Sequence, residues 1–503
     1  MEIYLYRIDK KIWKDTLEIT SLQGIVNKNN PNLYLIFNDY DIKWLEYYKK
    51  FLDFSCKEVC EKDDLLKIFR QYLKGYIVYD PEVPDTANIS SNFSGLYDVL
   101  IIHPERESYM KKLGLKKIED LRGKFKSKTK AEIYGISFEK FINICNRNSV
   151  ACLEVPKKEL INDIEYFPCH NHIRDLVISK KMFSFDLTSN PNYKDEYEMK
   201  EKIFQNINKL GIVFGWRTNR GSEAFHVKQS SKNGLIVICC LNSPNLSFHC
   251  HIKPDKILKI KESGRDECIE LENKIYISFI ISDGDAFHWD LSFQNKQYLS
   301  PNRGKIPFGW ELQLFLLDYA PSIWNYYIET LTENDEIWAA ASGLGYTFPT
   351  EMEFDILEKY LNLTAKYMEK VNLNNLVVLP GYYPLNEKIV EKYRISFKNK
   401  FLCLQEGYGK WEGENFIYEN LICLKTKLGG GNYKKEDLIE DLKKISQLKE
   451  RPLFITTHLV CINYDEVIEI MNNFSDFKIV KPSNLFKLAY KFYFTKRGGK
   501  NVD

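Results

Sequence analysis

Seven apolar runs of strand length recur through the second half of the chain, at 275–281, 336–341, 376–379, 401–404, 421–424, 453–457 and 477–480. Between several of them the apolar positions change to helical spacing, most clearly over 351–370 and 434–447. Strands separated by crossover-length segments predict a parallel sheet. We therefore expect a (β/α) barrel-like domain with parallel strands over 266–503. The first half alternates more loosely. Apolar runs at 3–8, 33–37, 76–79 and 99–102 enclose helical patterns at 13–27 and 63–73, which predicts a small α/β domain over 1–105. A basic helical or mixed domain is expected over 106–180. A third small α/β unit, with runs at 182–187, 211–216 and 235–240, is expected over 181–265. The fold class is thus α/β, with small N-terminal domains followed by the barrel-like one.

In a parallel barrel the working face is built from the C-terminal ends of the strands. Read in order, those ends carry Asp283 and Asp285, then Ser342 through Tyr346, then Gly381, Tyr382 and Tyr383. Glu406, Gly407 and Tyr408 follow, with Trp411 just beyond, then Lys425 and Lys427, and finally His458. Asp283 and Asp285 are two residues apart, so continued strand geometry would turn both to one side, about 6.6 Å apart. Paired carboxylates at such a separation divide acid and base work in glycoside hydrolysis. The competing reading is an Asp-Gly-Asp turn that satisfies only its own backbone. We take Asp283, Asp285, Glu406 and His458 as catalytic candidates. His288, Trp289, Ser342, Gly345, Tyr346, Tyr382, Tyr408 and Trp411 are the candidates for holding a sugar, by ring stacking and hydroxyl contacts. An Asp/His metal set is the weaker alternative, because no H-x-x-x-H spacing supports it; no cofactor is expected. His249 and His251 read as alternating strand residues, and His170 and His172 as loop residues. Gly429-Gly430-Gly431 lacks the Walker spacing and reads as a flexible loop over the barrel mouth.

Lys plus Arg number 71 and Asp plus Glu 69, a net charge of +2 that argues against a general nucleic-acid or membrane-surface binder. Residues 106–130 depart from that balance, with ten basic residues against three acids, and read as a solvated helical face. No apolar run reaches membrane-spanning length. The start, Met1-Glu2-Ile3-Tyr4, shows no basic segment leading into an apolar stretch, so a cytoplasmic location is expected. The twelve cysteines form no C-x-x-C pair and read as reduced, buried thiols.

Several of these segments together resemble the family of glycoside hydrolases named for its GxGYxYP motif. Here the motif stands as Gly343-Leu344-Gly345-Tyr346-Thr347-Phe348-Pro349, with Phe348 in place of the second tyrosine. Ser282-Asp283-Gly284-Asp285 is similar to the family's acidic strand end, with Ala286 where asparagine is more usual. Leu22-Gln23-Gly24-Ile25-Val26-Asn27, Tyr79-Asp80-Pro81, Gly95-Leu96, Gly215-Trp216 and Asn245-Leu246-Ser247-Phe248 extend the resemblance toward the N-terminus. It implies hydrolysis of a glycosidic bond in a carbohydrate or glycoconjugate. Without an export segment, the expected substrate is intracellular. A metal-dependent carbohydrate deacetylase, or a non-catalytic carbohydrate-binding or scaffold protein, are the alternative functions.

Overall fold

The computed structural model describes residues 2–161, 165–217, 223–261, 270–397, 401–405 and 415–496. Its contacts divide the chain into two units. One comprises residues 1–255 with 317–323, and the other residues 256–316 with 324–503.

The first unit contains three all-parallel sheets that share one winding. Strands β1 (Glu2–Arg7), β2 (Leu33–Ile36) and β3 (Ser55–Glu58) order as β2-β1-β3. Strands β4 (Gly75–Val78), β5 (Val99–Ile102) and β6 (Lys117–Asp120) order as β5-β4-β6. Strands β7 (Asn146–Cys152), β8 (Met182–Phe185), β9 (Ile212–Phe214) and β10 (Ile236–Ile238) order as β10-β9-β7-β8. In each sheet the first strand lies inside and the next two flank it, the doubly wound arrangement of open α/β sheets. The expected boundary at residue 105 falls between β5 and β6 of one sheet.

Two strands of this unit were not expected, β3 (SCKE) and β6 (KIED). Both are edge strands, mostly in contact with water, and so carry no apolar run. The basic stretch is accordingly not one helix. A helix at Glu107–Lys112 gives way to β6. Several of its cations are also paired: Lys117 with Glu107 and Asp120 at 3.2 and 2.9 Å, Arg122 with both at 2.6 Å, and Lys124 with Glu119. Lys130 lies between Asp85 and Asp186 at 2.5 and 2.6 Å. The histidine expectations also change. His249 ends a short helix, Leu246–His249, and His170 and His172 are buried in a 3-10 turn, Cys169–Ile173.

The glycine and amides of the N-terminal signature are explained by packing within this unit. On the helix Trp13–Val26, a Cβ at Gly24 would lie 2.7 Å from the Asp175 carbonyl and the Ile178 Cβ, so only glycine allows the two segments to meet. Gln23 donates to Asn245 Oδ1 at 2.7 Å and Asn27 to Ser247 Oγ at 3.2 Å. Asn245 in turn exchanges hydrogen bonds with both backbone groups of Leu35 on β2.

The second unit holds one large sheet. Its strands are β11 (Ile275–Ile281), β12 (Phe308–Leu312), β13 (Asp335–Ala339), β14 (Asn375–Val378), β15 (Phe401–Gln405), β16 (Phe416–Ile417), β17 (Leu421–Lys425), β18 (Leu428–Gly430), β19 (Leu453–Leu459) and β20 (Phe477–Ile479). They order as β16-β17-β15-β14-β13-β12-β11-β19-β18, and every pairing is parallel except β16 with β17. Helices fall close to expectation at Phe354–Val371 and Lys435–Ser446.

Only two residues, Thr426 and Lys427, link β17 near one end of this order to β18 at the other. Three Cα steps span at most about 11 Å, so the sheet must curl until its ends approach. Thr456 on β19 bridges the gap: its hydroxyl donates to the Lys425 carbonyl at 2.6 Å, and its carbonyl accepts from Lys427 N at 3.1 Å. Yet no strand ladder closes the circle among the described residues, so the expected barrel is corrected to a curled, open half-barrel.

The physical reason lies in the C-terminal helix, Pro482–Lys496. Its Leu485, Phe486, Leu488 and Ala489 form one buried cluster with Tyr276, Ile280, Trp338, Val377, Leu404, Leu424 and Phe454, side chains drawn from six strands. A barrel interior filled by strand side chains alone has no room for such a helix. Glu336 anchors its first turn, accepting from the Ser483 hydroxyl at 2.7 Å.

Candidate functional site

All seven residues of β11 are buried, which makes it the longest fully buried strand among the described residues. On one side β19 pairs with every residue from Ile275 to Ile281. On the other, β20 takes Ile275, Tyr276 and Ile277, and β12 takes only Ile280 and Ile281. The rigid strand ends there, and the acidic loop begins.

Asp283 has a left-handed backbone, φ 71°, and its carbonyl accepts from Ala286 N at 3.0 Å. The chain has therefore left the strand before the second aspartate, and alternation does not carry Asp283 and Asp285 to one side. The Asp-Gly-Asp is a turn, and both of its carboxylate residues are half-buried at the strand end. A short helix, Phe287–Leu291, follows.

β12 supports this loop. A Cβ at Gly284 would lie 2.4 Å from Glu311 Cβ and 2.5 Å from the Glu311 backbone carbon and oxygen, so the turn rests directly on Glu311. Gln313 Nε2 donates to the Asp285 carbonyl at 2.9 Å, and Gln313 N to Asp290 Oδ2 at 3.3 Å. Gln294 Nε2 lies 2.8 Å from both Asp290 Oδ1 and the Glu311 carbonyl. Asp290 is fully buried. Burial, and then the nearby Asp285 and Glu311 charges, push its carboxyl well above the ordinary carboxylate range.

His458, on β19 opposite Ile280, reaches across β11 to Glu311: Nε2 lies 2.5 Å from Oε1. The two side chains are 1% and 2% exposed, so they form a floor beneath the turn that is closed to solvent. His288 is half-buried, and burial lowers its pKa to about 4, leaving a neutral imidazole at physiological pH. It meets the buried Trp289 edge to face, with centroids 6.4 Å apart.

The Ala341–Pro349 loop takes a different place from the one expected. Ser342, Gly345 and Tyr346 are buried. The Ser342 hydroxyl lies 2.8 Å from the Thr347 carbonyl, Leu344 N donates to Thr364 Oγ1, and Tyr360 and Tyr393 hydroxyls donate to the Gly345 and Ser342 carbonyls. A Cβ at Gly343, φ 125°, would meet Thr364 at 2.5 Å. The loop is an internal brace between β13 and the helix behind it. From it Phe348 extends to Tyr382, which stands at the surface with Tyr383, at 36% and 65% exposure. Gly429 is not part of a mouth loop. It pairs with His458 as the centre of β18, with φ 136°, where a Cβ would fall 1.9 Å from the His458 carbonyl. Glu406, Tyr408 and Trp411 lie outside the described residues.

Sequence reasoning did not select Asp290, on the short helix, and it missed Glu311 and Gln313 because it missed β12. Pro307 and Gly309 interrupt its apolar pattern. The usable signal was a glutamate inside a short run of Phe, Trp and Leu. Among the described residues no three His, Cys, Asp or Glu side chains group as a metal would require. No described helix is long and apolar enough to cross a membrane.

These features define a multidomain α/β protein with a polar site at the carboxyl ends of a parallel sheet. The profile described as "GxGYxYP putative glycoside hydrolase C-terminal domain" matches residues 273–490. The first, second and third N-terminal domains of the same family match residues 4–71, 73–140 and 163–251. The chain belongs to the GxGYxYP family. Its fold is similar to that of a crystal structure described as a putative hydrolase from Bacteroides thetaiotaomicron VPI-5482. The TM-score is 0.82 over 97% of this chain and 94% of that one, at 18% identity. A comparison with curated proteins gave no match.

Proposed function

We propose that this protein hydrolyses a glycosidic bond in a carbohydrate or glycoconjugate, with Asp283 and Asp285 as its acid/base or nucleophilic carboxylates. The observation that carries the reading is the support given to their turn. Two half-buried carboxylates stand at the end of the longest fully buried strand among the described residues, on a loop held by Gly284 against Glu311 and by Gln313. In such a reaction one carboxyl protonates the leaving oxygen while the other accepts a proton from water or bonds to the sugar carbon. Family membership supports a carbohydrate as substrate. Tyr382 and Tyr383 offer ring faces for stacking, and Trp289 and the neutral His288 wall the loop.

The test is a panel of aryl glycosides and oligosaccharides assayed for reducing-sugar release, with Asp283→Asn and Asp285→Asn alongside. Hydrolysis by the natural protein and its loss in both variants is expected. Release of acetate from acetylated sugars, abolished by a chelator, would replace this reading with the deacetylase one.

A further inference from the structure

We propose that Glu311 and His458 are a positioning pair, acting on the reaction through the Asp283-Gly284-Asp285 turn rather than by touching the sugar. Only the kinetic consequence of this inference rests on the glycosidase reading. The positional role rests on the fold.

β12 and β19 are not neighbours. β11 lies between them, so at about 4.8 Å per strand their backbones are roughly 10 Å apart. A side-chain hydrogen bond across that distance passes over the end of β11, where the strand gives way to the turn. Two parallel registers and one step within β12 put the groups on one face. His458 is opposite Ile280, Ile280 is opposite Gly309, and Glu311 is two residues beyond Gly309.

The bond matters because the ladder is short. β20 occupies the other half of the β11 edge, leaving β12 two paired positions. Beyond Trp310, β12 is tied toward β19 through Glu311 and His458. The turn follows Glu311 closely, since Gly284 has no free space above its Cβ and backbone. Gln294 carries the same constraint onward, from the Glu311 carbonyl to Asp290 at the end of the short helix. A shift of Glu311 therefore moves both ends of the acidic loop.

Chemistry favours a glutamate–histidine pair for this task. A carboxylate oxygen and an imidazole nitrogen make one directional hydrogen bond, and the two side chains are long enough to meet over β11. An aliphatic pair would give no directional tie across β11.

The experiment compares Glu311→Gln, Glu311→Leu and His458→Gln by peptide-resolved hydrogen exchange, thermal unfolding and, on any glycoside found, kcat and KM. In Glu311→Leu, exchange over residues 282–296 should rise at least tenfold while residues 482–493 stay as protected as in the natural protein. Glu311→Gln, which keeps a hydrogen bond to the imidazole, should lie much closer to it. Kinetically, Glu311→Leu should lower kcat about a hundredfold with KM within about threefold, and Glu311→Gln should recover most of that. His458→Gln provides the same test from the other strand should Glu311→Leu not fold.

Unchanged exchange over 282–296 in the leucine variant, or in His458→Gln where that variant has to stand in for it, would overturn the proposal. So would exchange that rises equally everywhere, or a rise in KM at constant kcat, which would make Glu311 a substrate contact. If no glycoside is hydrolysed by the natural protein, the glycosidase reading falls, while the exchange comparison still decides the positioning role.

Discussion

Glu311 on β12 and His458 on β19 are hydrogen-bonded at 2.5 Å over the end of β11, with the acidic turn seated on Glu311. The half-exposed carboxylates thus have beneath them a buried pair from two other strands. This arrangement separates the two carboxylates proposed to meet the substrate from the buried pair beneath their turn.

Asp283→Asn and Asp285→Asn should each lower hydrolysis by about 10²-fold or more, the scale of losing a general acid or base. Thermal stability should change little, because asparagine also serves a left-handed turn position. A chelator should leave the natural rate unchanged. Substitutions that cost stability and spare activity would show that the aspartates only form the turn.

Gly284→Ala should behave in the opposite way. Its methyl group would overlap Glu311 Cβ and backbone, at 2.4 and 2.5 Å, and must displace the turn or β12. Overpacking of this kind costs about 1–3 kcal/mol. Chemical denaturation should register that loss, and activity should fall with it although no functional group has been removed.

The glycine run gives a comparison with an internal control. Gly429→Ala would place a Cβ 1.9 Å from the His458 carbonyl at φ 136°, and a loss of about 3 kcal/mol or more is expected. Gly431→Ala, with nothing within 4 Å of the added carbon, should be nearly neutral. Equal, small effects in thermal melts would return the segment to a flexible loop.

Acid should destabilise the first unit through buried histidines. Burial lowers His172 to about 4 and His249 to about 3, from an ordinary value of 6.5. Above pH 6.5 both states are neutral and the contribution is complete. As pH falls below 6.5, the unfolded chain binds protons that the folded rings refuse, so stability declines until the folded values are reached. Each ring contributes up to about 1.4 kcal/mol per pH unit in that window. Melting temperatures measured from pH 7 to pH 4 should show the decline, and His249→Gln should make it shallower. An identical slope in that variant would remove His249 as a cause.

Strand existence in the C-terminal half was legible because a buried parallel strand must be apolar along its length, as 275–281 and 421–424 are. The amphipathic helices at 354–371 and 435–446 were legible for the corresponding reason: one face packs and the other is wet. The acidic strand end and the GxGYxYP segment also stood out as residues, and family membership followed from them. Their roles did not. Alternation placed the two aspartates on one side, whereas β11 ends at Ile281 and the left-handed Asp283 turns the chain before Asp285. The motif read as a sugar surface, whereas its glycines and Tyr346 are interior, needed where a loop packs against Thr364 and Tyr360. Edge strands β3 and β6 were hidden because water, not a core, faces their side chains. β12 was hidden because a glycine and a glutamate break its apolar run, although all five of its residues are buried and paired with β13. Local patterning reports how each segment meets solvent. Which strand lies between which, and so that Glu311 and His458 meet 147 residues apart in sequence, is decided only when the sheet curls around its C-terminal helix.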